Sequence, residues 1–114
     1  WYGIPQEMIP EAGVSIGTEA RTDEAAERLL GIPAGTPISY RAGDQPNNAF
    51  SLNVMEAGEV AATGGTSGVV YGVTDKRQAD PQSRVNTFVH VNHTASNPRY
   101  GILLCINGTG IMNS

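Results

Sequence analysis

Five residues, Gly64-Gly-Thr-Ser-Gly68, stand between two short runs, Val60-Ala-Ala-Thr63 and Val69-Val-Tyr-Gly-Val-Thr74. No other feature restricts the fold of this chain as much. Glycines at three of the five positions make a helix through the stretch costly. The β-branched and aromatic residues on either side favour extended backbone. Residues 60–74 are therefore expected to form a β-hairpin whose turn exposes backbone N–H groups. A polar excursion follows from Asp75 to Arg84, then a partly alternating run from Val85 to Val91, then an apolar strand from Tyr100 to Ile106. We expect these units to make an antiparallel three-stranded β segment.

The first half has a different texture. Residues 1–21 hold Pro5, Pro10 and several glycines without a sustained period, and read as loop. Thr22 is expected to cap a helix, with Asp23 and Glu24 suiting the positive N-terminus. Ala25, Ala26, Leu29 and Leu30 give that helix an apolar face, and Gly31 ends it. Pro37 to Ala42 reads as a strand closed by Gly43. A second helix is expected around Asn47 to Met55, packing through Ala49, Leu52 and Met55. The order α–β–α followed by strands implies an α/β chain with a mixed sheet and a junction near 56–59. We divide it there, into residues 1–56 and 57–114.

Composition excludes several classes of function. The formal net charge is −4, and only Lys76 and Arg77 are adjacent cations, so nucleic acid and anionic membranes are poor partners. No apolar run approaches the length of a membrane span. The single cysteine, Cys105, lies in the run Ile102-Leu-Leu-Cys-Ile106. It reads as a buried inert thiol, consistent with a reducing, cytoplasmic compartment. Trp1, Tyr2 and Tyr100 read as packing residues, and Arg84 and Arg99 as surface charges. The chain opens without an initiator Met and closes on Gly110-Ile-Met-Asn-Ser114, as an excised segment would.

Two turns carry the chemistry. Asp44 follows a predicted strand and precedes a predicted helix, and in an open α/β sheet the carboxyl end of a strand is where ligands bind. Gln45, Asn47 and Asn48 crowd the same place with amides suited to sugar hydroxyls. A carboxylate there can accept a proton from an alcohol, although an Asp after Gly is commonly a turn or cap residue. In the second turn, consecutive N–H groups and the Thr66 and Ser67 hydroxyls can hold an anion, although a glycine-rich hairpin is often only a turn. It is neither a P-loop, since it lacks Lys and leads into a strand, nor a nucleophile elbow, since Val69 follows where a glycine is needed. An alcohol and an anion are the reactants of phosphoryl transfer. His90 and His93 are three apart, but too few further ligands accompany them for a metal site.

Gly43-Asp-Gln-Pro-Asn-Asn-Ala49, followed about twenty residues on by Gly65-Thr-Ser-Gly-Val69, resembles the FGGY carbohydrate kinases and, within them, the xylulokinases. In that family such a pair marks the crossing from the first to the second actin-like domain. The downstream pattern, Phe88-Val-His90 and then the Tyr100–Ile106 strand, is similar too. The resemblance covers most of residues 30–114. It implies a ribonuclease H-like (actin-like ATPase) architecture, residues 1–56 being the end of the sugar-binding domain and 57–114 the start of the ATP-binding domain. It makes Asp44 the general base, Gln45 a sugar contact, and Gly65, Thr66 and Ser67 the holders of the ATP phosphates. It implies ATP and Mg²⁺ as cofactors, with D-xylulose phosphorylated at its 5-hydroxyl in the cytoplasm. Pro46 and Gly64 depart from the usual pattern and blur the identity of the sugar.

The family's N-terminal Asp-Gly-Thr phosphate loop and its later adenine-side glycine pair have no counterpart in these residues. The expectation is that this chain alone is not a competent kinase and needs the remainder of the kinase chain. Unpaired edges and bare apolar faces would then favour self-association. Competing readings are a kinase for ribulose, glycerol, gluconate or fuculose, a noncatalytic sugar- or anion-binding module, and a structural β-rich domain.

Overall fold

The structure, a computed structural model, describes residues 3–11 and 13–107. Trp1 and Tyr2, read above as packing residues, and the closing segment 108–114 lie outside them. After a single 3₁₀ turn, Gln6–Met8, come two helices, α1 (Glu24–Leu30) and α2 (Asp44–Ser51). Four strands follow: β1 (Val60–Gly64), β2 (Ser67–Thr74), β3 (Asn86–Val89) and β4 (Tyr100–Asn107).

The strands form one sheet in the order β1-β2-β4-β3. The expected hairpin is present, its arms paired from Val60 opposite Gly72 to Gly64 opposite Gly68. The sheet has four strands rather than three because both arms pair and β2 also runs its whole length against β4, with Tyr71 opposite Leu103. It is antiparallel at every described pairing, not mixed. Parallel pairing needs a crossover of a dozen or more residues, usually a helix, and no helix lies between the strands.

The core is small. Ala61, Tyr71, Val73 and Leu103 supply the sheet's contribution, and Ala49 of α2 packs with them, flanked by Val54 and Val69. Pro46 and Ala49 are the buried residues of α2, so the helix lies on the sheet through its middle. Pro46 is tolerated because a first-turn N–H has no intrahelical partner to lose. The helix begins at Asp44 and ends at Ser51, earlier than expected, because Asn53 adopts a left-handed conformation (φ 58°) that ends it.

Three local expectations are corrected. Asp23, not Thr22, caps α1, accepting from the Ala26 N–H at 2.9 Å. The Thr22 hydroxyl instead donates to the Pro33 carbonyl at 2.7 Å. Residues 37–42 are not a strand of the sheet. They run antiparallel to residues read as loop, pairing at Ile16 with Tyr40 and at Arg21 with Pro37. Pro37 has no N–H to give, which interrupts a regular ladder. Cys105 is exposed. It shares the pleat face of Gly101 and Leu103, but burial stops at Leu103, beyond the reach of α2.

Candidate active site

Asp44 is the first residue of α2, preceded by Gly43 at the N-cap. A carboxylate at this end of a helix faces the positive pole of the peptide dipoles. One of its oxygens, Oδ1, accepts from the Gln45 N–H at 2.8 Å. The side chain is otherwise open to solvent, so its second oxygen is available to an incoming hydroxyl. Gln45 is half-buried beside it. Asn47, by contrast, is already engaged, its Oδ1 accepting from the Tyr40 hydroxyl at 2.7 Å. Tyr40 also lies against Phe50, ring centroids 6.1 Å apart. The amides offered by sequence thus divide: Asn47 holds residue 40 to the helix, while Gln45 and the exposed Asn48 remain for ligands.

The second turn is the tip of the β1–β2 hairpin. The Gly65 N–H closes it by donating to the Ser67 carbonyl at 3.1 Å, so that donor is spent within the loop. Thr66 is exposed and Ser67 half-buried. Thr66 makes no hydrogen bond among the described residues, which leaves its N–H and hydroxyl as outward-facing donors. Gly64 and Gly65 are not in the left-handed region, so turn geometry is not what selects glycine there. A Cβ on Gly64 would meet nothing within 4 Å, and on Gly65 only the Ser67 carbonyl oxygen at 3.9 Å. What the missing side chains provide is open access to the backbone.

Both turns hang from the same core. Asp44 is about 8 Å along the helix axis from buried Ala49, and Ser67 about 13 Å along β2 from buried Tyr71. Ala49 and Tyr71 belong to one cluster. The carboxylate and the loop are therefore held by common packing, with an exposed carboxylate on one element and exposed N–H and hydroxyl groups on another.

A further group of residues joins the two elements, and sequence reasoning missed it. The segment leaving α2, Val54-Met-Glu56, is gripped by side chains from the far end of the sheet. His90 Nε2 bonds the Val54 carbonyl at 3.0 Å, and Asn92 Nδ2 donates to the Met55 carbonyl at 3.1 Å. Arg99 pairs with the Glu56 carboxylate. The Glu59 carboxylate accepts from the N–H groups of Met55 and Glu56 at 2.7 and 2.8 Å, and these bonds lower its pKa. Arg99 is 14% exposed, not the surface charge expected. His90, weighed only as a metal ligand, is fully buried and bonded through both ring nitrogens, Nδ1 meeting the Tyr71 hydroxyl at 3.0 Å. Its pKa is lowered by burial and by the charge of Arg99, against the opposing bond to Val54. The partners lie 36 to 43 positions apart, so no local pattern signals them.

No family model matches the sequence. Among curated proteins, an autoinducer-2 kinase of Klebsiella pneumoniae is 31% identical over 83 residues, 73% of this chain and 15% of that protein. A gluconokinase of Bacillus licheniformis is 35% identical over 57 residues, 50% of this chain and 11% of that protein. Among solved structures, the xylulose kinase from Rhodospirillum rubrum shares the fold with a TM-score of 0.80 and 24% identity, over 95% of this chain and 21% of that one. The chain thus spans between about a tenth and a fifth of the length of these proteins. Its helices and antiparallel sheet follow the fold of the corresponding segment of that structure, as the expected ribonuclease H-like (actin-like) architecture requires. Likeness in sequence to gluconokinases and an autoinducer-2 kinase, joined to the fold of a xylulose kinase, is consistent with a segment of an FGGY carbohydrate kinase.

Proposed function

We propose that the chain carries the acceptor base and part of the phosphate-holding loop of a cytoplasmic, ATP-dependent carbohydrate kinase, and that the junction near residues 56–57 divides sugar-side from nucleotide-side structure. The observation that carries this reading is the suspension of an open carboxylate and an open, glycine-flanked loop from one core. In the reaction, the Asp44 carboxylate orients a sugar hydroxyl and takes its proton as the oxygen bonds to the γ-phosphorus. The bond to the bridging oxygen breaks and ADP leaves, giving the sugar phosphate. Gln45 holds a neighbouring sugar hydroxyl. Gly65, Thr66 and Ser67 line the phosphate chain, chiefly through the Thr66 N–H and the two hydroxyls.

No group of three His, Cys, Asp or Glu side chains stands together among the described residues. That suits Mg²⁺ held mainly by ATP phosphate oxygens and water, with the Thr66 hydroxyl as a protein oxygen. Bound there, it would neutralise charge on the transferring phosphoryl group. The sugar proposed first is D-xylulose, phosphorylated at its 5-hydroxyl, on the fold shared with a xylulose kinase. Gluconate is the second reading, because the gluconokinases match at 35% and 36% identity. Turnover is proposed for the kinase containing this segment, not for the 114 residues alone.

The test is an ATP-coupled phosphorylation assay on the protein that contains this segment, over xylulose, ribulose, gluconate, glycerol and fuculose. Turnover of one sugar, falling about 10³-fold in Asp44→Ala, is the expected result. Sugar binding without turnover would replace the kinase by a binding module. Wild-type turnover in Asp44→Ala would remove the base.

A further inference from the structure

His90 is the one buried polar residue of the described core, and its two contacts fix its proton. A carbonyl can only accept, so Nε2, against the Val54 carbonyl, carries the hydrogen. Nδ1 of the neutral ring then accepts from the Tyr71 hydroxyl. The result is a directed chain, Tyr71 O–H to His90 Nδ1 and His90 Nε2–H to Val54 C=O. Its ends are informative. Tyr71 lies on β2, the strand that leaves the candidate phosphate loop. Val54 is three residues beyond α2, the helix that begins with Asp44, and its N–H is bonded to the Ala49 carbonyl at 2.9 Å.

Asn92 and Arg99 hold the next two residues, Met55 and Glu56. Three consecutive residues at the exit of α2 are thereby fixed by three side chains from one loop. The charged groups around His90 are Arg99 and, through it, Glu56; Tyr71 is the other titratable group in contact. A surface tether would leave its polar groups in water. Here the ring is wholly buried, and an unpartnered buried group is costly, so the bonds specify one arrangement.

We propose that His90 is a positioning residue for phosphoryl transfer, fixing α2 and its Asp44 relative to the β2 strand that carries the phosphate loop. This rests on the kinase reading above. His90 touches neither substrate nor reacting atoms. It acts by holding the base in line with the phosphoryl group, where a displacement of about 1 Å costs on the order of 100-fold in rate.

The experiment uses the protein that contains this segment, with His90→Leu, His90→Gln and Tyr71→Phe. His90→Gln keeps an N–H for Val54, and Tyr71→Phe removes only the hydroxyl. At equal folded fraction, kcat is expected to fall on the order of 100-fold in His90→Leu with the KM for sugar and for ATP unchanged, and His90→Gln is expected to restore most of it. Amide hydrogen exchange through α2 is expected to quicken in His90→Leu and Tyr71→Phe. Wild-type kcat in folded His90→Leu would overturn the proposal even if stability fell. Should the wild-type protein phosphorylate no sugar, the kinase reading fails on its own. Exchange in α2 then decides the clamp separately, and unchanged exchange in the variants overturns it.

Discussion

Tyr71 pairs with Leu103 and lies diagonally from Gly101 across the β2–β4 pair, and a Cβ built on Gly101 would overlap the phenol ring. Glycine at 101 is thus a packing requirement of the neighbouring strand, invisible in the run Tyr100-Gly-Ile-Leu. Gly101→Ala is expected to cost about 1–3 kcal/mol by overpacking, read from urea unfolding. The same phenol is pushed by burial to about 12, so it remains a donor to His90 at any ordinary pH. The imidazole, its pKa held below the usual 6.5, takes up a proton more readily in the unfolded chain. Its contribution to stability is therefore complete above pH 6.5 and declines as pH falls below that value. His90→Gln is expected to flatten this slope in a series of unfolding curves. Asp80 responds in a more acidic window. Arg84 bonds its carboxylate through Nε and Nη2 at 2.9 and 3.0 Å and, with backbone N–H groups, lowers the pKa from 3.8 to about 2. The ordering of the 75–84 excursion is expected to persist above pH 3.8 and to fail as pH falls toward 2, followed by backbone NMR, with Asp80→Asn already loosened at neutral pH.

Among the elements, the hairpin was the most legible because its signals are local. β-Branched runs and a glycine-rich turn act within fifteen residues, and the register follows from the turn. The role of its glycines was not legible in the same way: Gly64 and Gly65 do not need glycine's conformational range, and open space surrounds them. Gly64→Ala and Gly65→Ala are therefore expected to leave unfolding within about 1 kcal/mol of the parent. If the loop holds phosphates, they should raise the KM for ATP severalfold, and an unchanged KM would make it only a turn. The 37–42 segment had strand-like composition but takes its hydrogen bonds from residues 15–22, whose own sequence reads as loop. Helix α1 has the apolar face its period implies, yet Leu29 and Leu30 are 81% and 70% exposed. Amphipathicity gives a helix a face to bury, and it leaves the choice of partner to the tertiary structure.

Taken whole, the molecule is open. Its accessible surface is 8483 Å², against about 6,000 Å² for a compact monomer of this mass. The radius of gyration is 17.4 Å, against about 13 Å for a compact chain of similar length. Val60 on edge strand β1 and Val89 on edge strand β3 are both more than half exposed. Unpaired edges with apolar side chains are templates for association. The 114-residue chain is expected to sediment as concentration-dependent oligomers, and Val60→Lys with Val89→Lys to shift it toward monomer. A concentration-independent monomer in sedimentation velocity would refute this. No described helix is long and apolar enough to cross a membrane.

By itself the sequence determined the acidic start and glycine stop of α1, the hairpin and the placement of Asp44 and Thr66 at exposed turns. Each of these depends on residues close together in the chain: Asp23 with Ala26, Gly31 ending α1, Gly43 before Asp44. Tertiary structure alone decided that His90 is a buried connector rather than a metal ligand, that Arg99 is partly enclosed, and that Cys105 is exposed. The physical reason is one of range. Capping and turn formation act over a few residues, whereas burial and the proton position of an imidazole depend on groups brought together from 19 and 36 positions away.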